Sequence, residues 1–258
     1  MKCLIGVFFL IFAFSVHAKT VLRVGTWDYP PNMIIKLENN KPKFSGAIVD
    51  VWEKFIAPEA ALEIQWIGPL PFPRAMQMLE EGSIDAVQHL SLTPERTKRF
   101  IFSKEPIMWG KQGIVVKKDE PLNQITKIDQ LRGRTIGMIA QGYLAPFFQN
   151  NKSELKLEEL SGIDSAQNHI RKLRSGRIWG IYFTFPDVLF YHATQIGKRE
   201  ELKLIQFPGS SKDEVTYAAF SKKLPSKLIQ KLDKAIQKAN DKYDYHQLAN
   251  KYSRATSK

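Results

Sequence analysis

The sequence contains a single cysteine, Cys3, placed at the edge of the first apolar stretch. Beyond that stretch no disulfide can form and no thiol nucleophile exists, so the chain must be held together by an ordinary core. Long apolar runs are equally scarce. After Leu4 to Phe14 no segment approaches the ~20 residues that a membrane-spanning helix needs. Of the five histidines, His89, His169, His192 and His246 lie beyond residue 18. They show neither metal-ligand spacing nor a surrounding cluster of carboxylates. No phosphate loop and no dinucleotide signature occurs. These absences exclude a disulfide scaffold and a thiol enzyme, and they give no sign of a metal, a cofactor or a nucleotide.

Negative charge is the minority sign: 26 acidic residues against 38 basic ones, a net +12. Basic charge of this size can mark nucleic acid or an anionic surface as partner. Here the basic residues are scattered, except for Lys223, Lys227, Lys231, Lys234, Lys238 and Lys242, which follow helical spacing. The plainer account of that series is a solvated helix face; the sharper one is a patch for an acidic partner. The start of the chain argues against nucleic acid. Lys2, the apolar run and Val16-His17-Ala18 have the build of a secretory leader cleaved after Ala18. Residues 1–18 are therefore expected to be a signal peptide, and the remaining 240 or so residues (258 less 18) an exported protein.

Along that remainder, strand and helix signals alternate. Val21 to Val24 reads as a strand running into the turn Tyr29-Pro30-Pro31. Gly46 precedes the helical stripe Ile48, Val49, Trp52, Phe55 and Ile56. Ile64 to Ile67 is the next strand, Pro73 to Leu79 a helix closed by Gly82, and Ile84 to Val87 a strand. Gly113 to Val116, Thr135 to Ile139, Ile178 to Phe183 and Val215 to Phe220 follow as strands. Asp164 to Ser175 is a helix, and Pro225 opens a long one with Leu228, Leu232, Ala235, Ile236 and Ala239 on its apolar face. Alternation of this kind predicts an α/β protein with a parallel sheet. One echo stands out: Leu79 to Val87 and Leu173 to Ile181 share the frame helix, glycine cap, strand. A repeat about 95 residues apart fits two similarly built lobes.

Two motifs carry a family resemblance. Leu92-Thr93-Pro94-Glu95-Arg96, followed by Phe102-Ser103-Lys104-Glu105-Pro106, resembles the bacterial extracellular solute-binding proteins of family 3. Supporting pieces occur in order: Tyr29-Pro30-Pro31, Gly82 to Ala86, and Leu131 to Gly137. The resemblance implies a periplasmic-binding-protein fold of the second type, two α/β lobes joined by two hinge strands. It places lobe one at 19–110 plus 217–258 and lobe two at 111–216, with Val115 and Tyr217 near the crossings. It also implies a periplasmic, monomeric protein. Such a protein would deliver a small polar, carboxylate-bearing solute to an inner-membrane ABC permease or sensor receptor. The competing expectation is an enzyme, because some periplasmic dehydratases reuse this cleft; His89 and Asp187 are the only acid–base candidates it offers.

For the site, a guanidinium presents a planar fork that matches a carboxylate with two parallel hydrogen bonds. By resemblance Arg96 receives the ligand carboxylate and Ser91 adds a hydroxyl. The plain alternative for Arg96 is a salt bridge with Glu95 or Asp50. Thr93 and Glu95 read as capping residues. Tyr29 is expected as an aromatic wall, with Trp27 and Trp109 as further aromatics. Gly142, followed by Tyr143, resembles the glycine at which the second lobe offers N–H groups at a helix start. The aspartate that amino-acid receptors of this family use for the ammonium is missing; Thr184 stands near its place, with Asp187 three residues on. Gln88 and His89 replace the usual small residues and are expected to contact ligand or narrow the pocket.

Overall fold

The computed structural model describes residues 19–254. The expected leader and Cys3 lie outside the described residues. Among the described residues no helix is long and apolar enough to cross a membrane.

The chain begins with β1 (Thr20–Gly25), passes the Tyr29 turn and forms a hairpin, β2 (Ile34–Glu38) and β3 (Lys41–Ser45). Helix α1 (Ala47–Asp50) continues through a π-helical stretch, Val51–Ile56, into α2 (Ala57–Glu59). Then come β4 (Leu62–Ile67), α3 (Phe72–Glu81), β5 (Ala86–Leu90), α4 (Pro94–Arg99) and the long β6 (Ile101–Gly110). The second half contains β7 (Gly113–Lys117), β8 (Thr135–Ile139), α5 (Pro146–Gln149) and β9 (Lys156–Leu160). It continues with α6 (Ser165–Arg174), β10 (Gly180–Phe183), α7 (Asp187–Gln195) and β11 (Leu202–Ile205). Finally β12 (Glu214–Phe220) returns to the first half, followed by α8 (Ser226–Asn240) and α9 (Tyr245–Arg254).

Two five-stranded sheets result, ordered β4-β1-β5-β12-β6 and β11-β7-β10-β8-β9. The expected parallel pairing is present, but both sheets are mixed. In the first, β1 runs parallel to β4 and β5, while β12 is antiparallel to β5 and β6. In the second, β8 runs parallel to β9 and β10, while β7 is antiparallel to β10 and β11. Reading the second sheet as β9-β8-β10-β7-β11 gives the same pattern of directions as the first. The antiparallel strands are the ones that follow or precede a passage between the sheets. Those passages lie between Gly110 and Gly113 and between Ile205 and Glu214, so Val115 and Tyr217, expected near the crossings, already sit inside a sheet.

The sequence echo has a structural counterpart. Gly82 (φ 72) and Gly176 (φ 73) both end their helices in the left-handed region that glycine enters without steric penalty. At each, the same two capping bonds form: Gly82 to Leu79 and Ser83 to Met78, Gly176 to Leu173 and Arg177 to Lys172. Strand β5 starts later than the apolar pattern predicts. Ile84 instead packs beneath Gly25, where an added Cβ would stand 2.3 Å from Ile84 Cδ1. On α8 the buried stripe is Ile229, Leu232, Ala235, Ile236 and Ala239, with Leu228 only partly covered. Each large apolar side chain so buried contributes about 1.5–3 kcal/mol. Behind it, α9 is fastened by Tyr245, whose hydroxyl donates to Asn32 Oδ1 at 2.6 Å, and by Lys251, 3.3 Å from Asp50.

Candidate functional site

The end of β5 is the centre of the first sheet, and all five of its residues are buried. Just beyond it, Thr93 caps α4 by accepting the Arg96 N–H at 3.2 Å, and Pro94 supplies the first helical residue. This tight first turn folds Arg96 back over the strand end. Its Nη1 donates to the Ser91 carbonyl at 2.9 Å and its Nη2 to the Gln141 carbonyl, also at 2.9 Å. The guanidinium lies over the Phe72 ring, 5.5 Å from its centroid, and Arg96 is only 9% exposed.

No ion pair of the described residues includes Arg96. Asp50 is held by Lys54 at 2.8 Å and by Lys251, while Glu95 is exposed and turned to its own helix cap. Burial, helped by the nearby Arg99, lowers the Arg96 pKa to about 10, so the group still carries its charge at neutral pH. A buried cation bonded to two neutral carbonyls, with three N–H groups left over, strongly favours an anion beside it.

That anion would enter a cavity of about 40 Å³ between the two sheets. On the first-sheet side it is lined by Trp27, Tyr29, Phe72, His89, Ser91 and Arg96; on the other by Met138, Gly142, Tyr143, Tyr182, Phe183 and Thr184. A single water requires ~10–15 Å³, so a solute is admitted only as the sheets part. The two walls touch directly. Tyr29 Oη accepts the Phe185 N–H at 3.1 Å, and the Arg96–Gln141 bond crosses the same gap.

His89 is 5% exposed and packs among aromatic rings, 5.3 Å from Trp27 and 5.2 Å from Tyr29. Neither ring nitrogen has a hydrogen-bond partner. Burial, with Arg96 adding like charge, pushes its pKa down to about 3, so the imidazole is neutral. Tyr143 is pushed up to about 12, mainly by burial.

Of the residues singled out in the sequence, Arg96, Ser91, Tyr29, His89, Gly142, Tyr143 and Thr184 meet around this cavity. Gln88, Trp109 and Asp187 do not line it. Gln88 is one step along the strand from His89 and faces its neighbours: its amide donates to the Trp27 carbonyl at 3.3 Å and accepts from Thr26. Trp109 packs against Tyr245, ring centroids 5.9 Å apart and tilted, beyond β12. Asp187 opens α7 outside the lining; burial raises its carboxyl pKa, against which Arg199 and His246 act as charged neighbours.

The expected role of Gly142 also needs correction. Its N–H is taken by the Ile139 carbonyl at 2.9 Å, and the helix begins only at Pro146, which has no N–H to offer. The glycine is there because an added Cβ would meet the Ile139 carbonyl oxygen at 2.8 Å. Phe72, Met138, Tyr182 and Phe183 are lining residues that sequence reasoning missed. Tyr182 was within reach, since it lies two residues before Thr184 and strand alternation puts both on one face. Phe72 carried a signal too, fixed between Pro71 and Pro73. Among the described residues no group of three or more His, Cys, Asp or Glu could hold a metal ion.

The comparisons with known proteins agree with this architecture. The model of the family described as bacterial extracellular solute-binding proteins, family 3, matches residues 22–255. An amino acid ABC transporter substrate-binding protein from Streptococcus pneumoniae, bound to L-arginine, superposes with a TM-score of 0.74 at 22% identity, covering 92% of this chain and 95% of that one. An ancestral arginine-binding protein bound to glutamine gives 0.70 at 24% identity, covering 92% and 99%. The GluR0 ligand-binding core from Nostoc punctiforme, in complex with L-glutamate, gives 0.68 at 21% identity, covering 90% and 98%. These likenesses establish the periplasmic-binding-protein fold of the second type, with two α/β lobes. No curated protein matches the chain significantly.

Proposed function

The chain belongs to the bacterial extracellular solute-binding proteins of family 3, and we propose that it captures a small carboxylate-bearing solute between its lobes. The observation that carries this is Arg96, a buried cation without an acidic partner that faces the interlobe cavity. A carboxylate there receives charge-assisted hydrogen bonds worth about 1.5–3 kcal/mol each. Two of them account for a large part of the roughly −8 kcal/mol of a micromolar complex.

The division proposed for the lobes, 19–110 plus 217–258 and 111–216, shifts by three residues at its second boundary, because β12 joins the first sheet from Glu214. Closure is a hinge motion, and a solute that contacts both walls shifts the equilibrium toward the closed form. The protein then works as a periplasmic monomer, passing its solute to an inner-membrane ABC permease or a sensor receptor.

The dehydratase alternative gains no support from the site. Asp187 lies outside the cavity, and an imidazole with a pKa near 3 is a poor proton acceptor at neutral pH. Mass spectrometry of the small molecule released on denaturing the purified protein is the direct test. A carboxylate is expected, and a solute without one would overturn the reading.

A further inference from the structure

The cavity carries one charge and one unsatisfied neutral group, and their combination restricts the solute. No Asp or Glu lines it; Arg96 is the only charged residue in the lining. The acids around it stop short of the lining. Asp28 accepts the Ile35 N–H at 3.3 Å and lies 3.5 Å from His192; Asp187 and Glu214 do not line the cavity, and burial raises the pKa of both. An ammonium brought into this aromatic surround would be a second buried cation with no carboxylate in the lining to meet it, close to a guanidinium. The Ser91 carbonyl already accepts from Arg96, so an ammonium would share it with a guanidinium.

Facing the same space, His89 has two buried ring nitrogens with no partner. Each such atom costs stability unless something bonds to it. A neutral imidazole is one donor and one acceptor. Its complement is a hydroxyl or a carbonyl on an otherwise apolar body, matched by the rings of Trp27, Tyr29 and Phe72.

We propose that the cavity takes a monocarboxylate with an apolar body and a neutral hydroxyl or keto group, not a zwitterionic amino acid, and that His89 reads the neutral group. This presupposes that Arg96 grips a carboxylate and extends that assignment to the other end of the solute. The low basicity of His89 agrees with it, because the ring stays uncharged beside Arg96 at any physiological pH.

The test is calorimetric titration of the full chain with matched acids on two skeletons: L-phenylalanine against L-3-phenyllactate and phenylpyruvate, and L-valine against L-2-hydroxyisovalerate and 2-oxoisovalerate. On at least one skeleton the hydroxy or keto acid should bind at least about tenfold more tightly than the amino acid. His89→Ser should weaken that binding about tenfold, whereas His89→Gln, which keeps a donor and an acceptor, should stay within about threefold of wild type. An amino acid bound as tightly as its analogues, in a manner lost in Arg96→Ala, overturns this inference and leaves carboxylate capture standing. Failure of all six probes at millimolar concentration overturns it as well, and a co-purified solute lacking a carboxylate overturns both. Unchanged hydroxy-acid binding in His89→Ser removes His89 from recognition.

Discussion

The Tyr29 hydroxyl accepts a hydrogen bond from the Phe185 backbone N–H at 3.1 Å, joining residues 156 positions apart and on opposite walls of the cavity. The turn after β1 thus reaches the loop after β10 through one phenol oxygen. Tyr29→Phe keeps the ring and removes the latch. A net hydrogen bond is worth about 0.5–1.5 kcal/mol, so solute affinity should fall roughly two- to twelvefold. Small-angle scattering of the unliganded variant should show a larger radius of gyration. Affinity and dimensions equal to wild type would show that the latch contributes nothing to closure.

Arg96→Ala should abolish solute-induced thermal stabilisation while moving the unliganded Tm by only a few degrees. The residue has no ion pair to lose, and its removal takes a buried charge out of the cavity. Arg96→Lys should not restore binding fully, because an ammonium cannot reproduce the two-pronged contact. A collapse of the unliganded Tm, measured by scanning fluorimetry, would assign Arg96 to the scaffold instead.

Acid should destabilise the protein, with His89 as a main cause. In the folded state its pKa is about 3, against about 6.5 for an unfolded histidine. Between those values the unfolded chain binds more protons, so stability falls as pH drops through that window, by on the order of a few kcal/mol in all. His192, lowered to about 4 chiefly by burial, acts the same way from 6.5 down to 4. Asp28, raised to about 6 by burial, opposes them between pH 6 and the ordinary carboxylate range. His89→Gln does not titrate here, so its Tm should change less between pH 7 and 4 than that of wild type. Parallel curves would show that His89 gains its proton while folded.

Gly46→Ala should lower stability by about 2 kcal/mol or more. Gly46 has φ 127, and an added Cβ would stand 2.3 Å from the Asn32 carbonyl oxygen, backbone that cannot swing aside. Urea denaturation should show the loss as a lower midpoint with an unchanged slope. A midpoint within error of wild type would mean that the Asn32 turn relaxes freely.

Much of the fold was legible because its signals are local. Gly82 and Gly176 announce their helix ends, and Pro225 marks the start of α8 one residue early. The antiparallel strands β7 and β12 were not, since their direction follows from the passages between sheets. At the site, Ser91 and Arg96 were singled out by resemblance, and both line the cavity; the Thr93 cap that sets the turn before Arg96 spans three residues. Gln88 and His89 looked alike in sequence, yet strand alternation turns one toward Thr26 and leaves the other facing the cavity. Asp187 and Thr184 divide for a similar reason, because the residues around Pro186 set the direction of α7.

The bond from Tyr245 to Asn32 has a practical side for anyone building a reporter from this protein. Asn32 belongs to the turn that carries Tyr29, with its N–H donating to the Tyr29 carbonyl at 3.0 Å. A fluorescent domain or surface anchor fused behind α9 would load the helix that braces the aromatic wall. Attachment through the hairpin at Asn39 and Asn40 would leave that brace untouched.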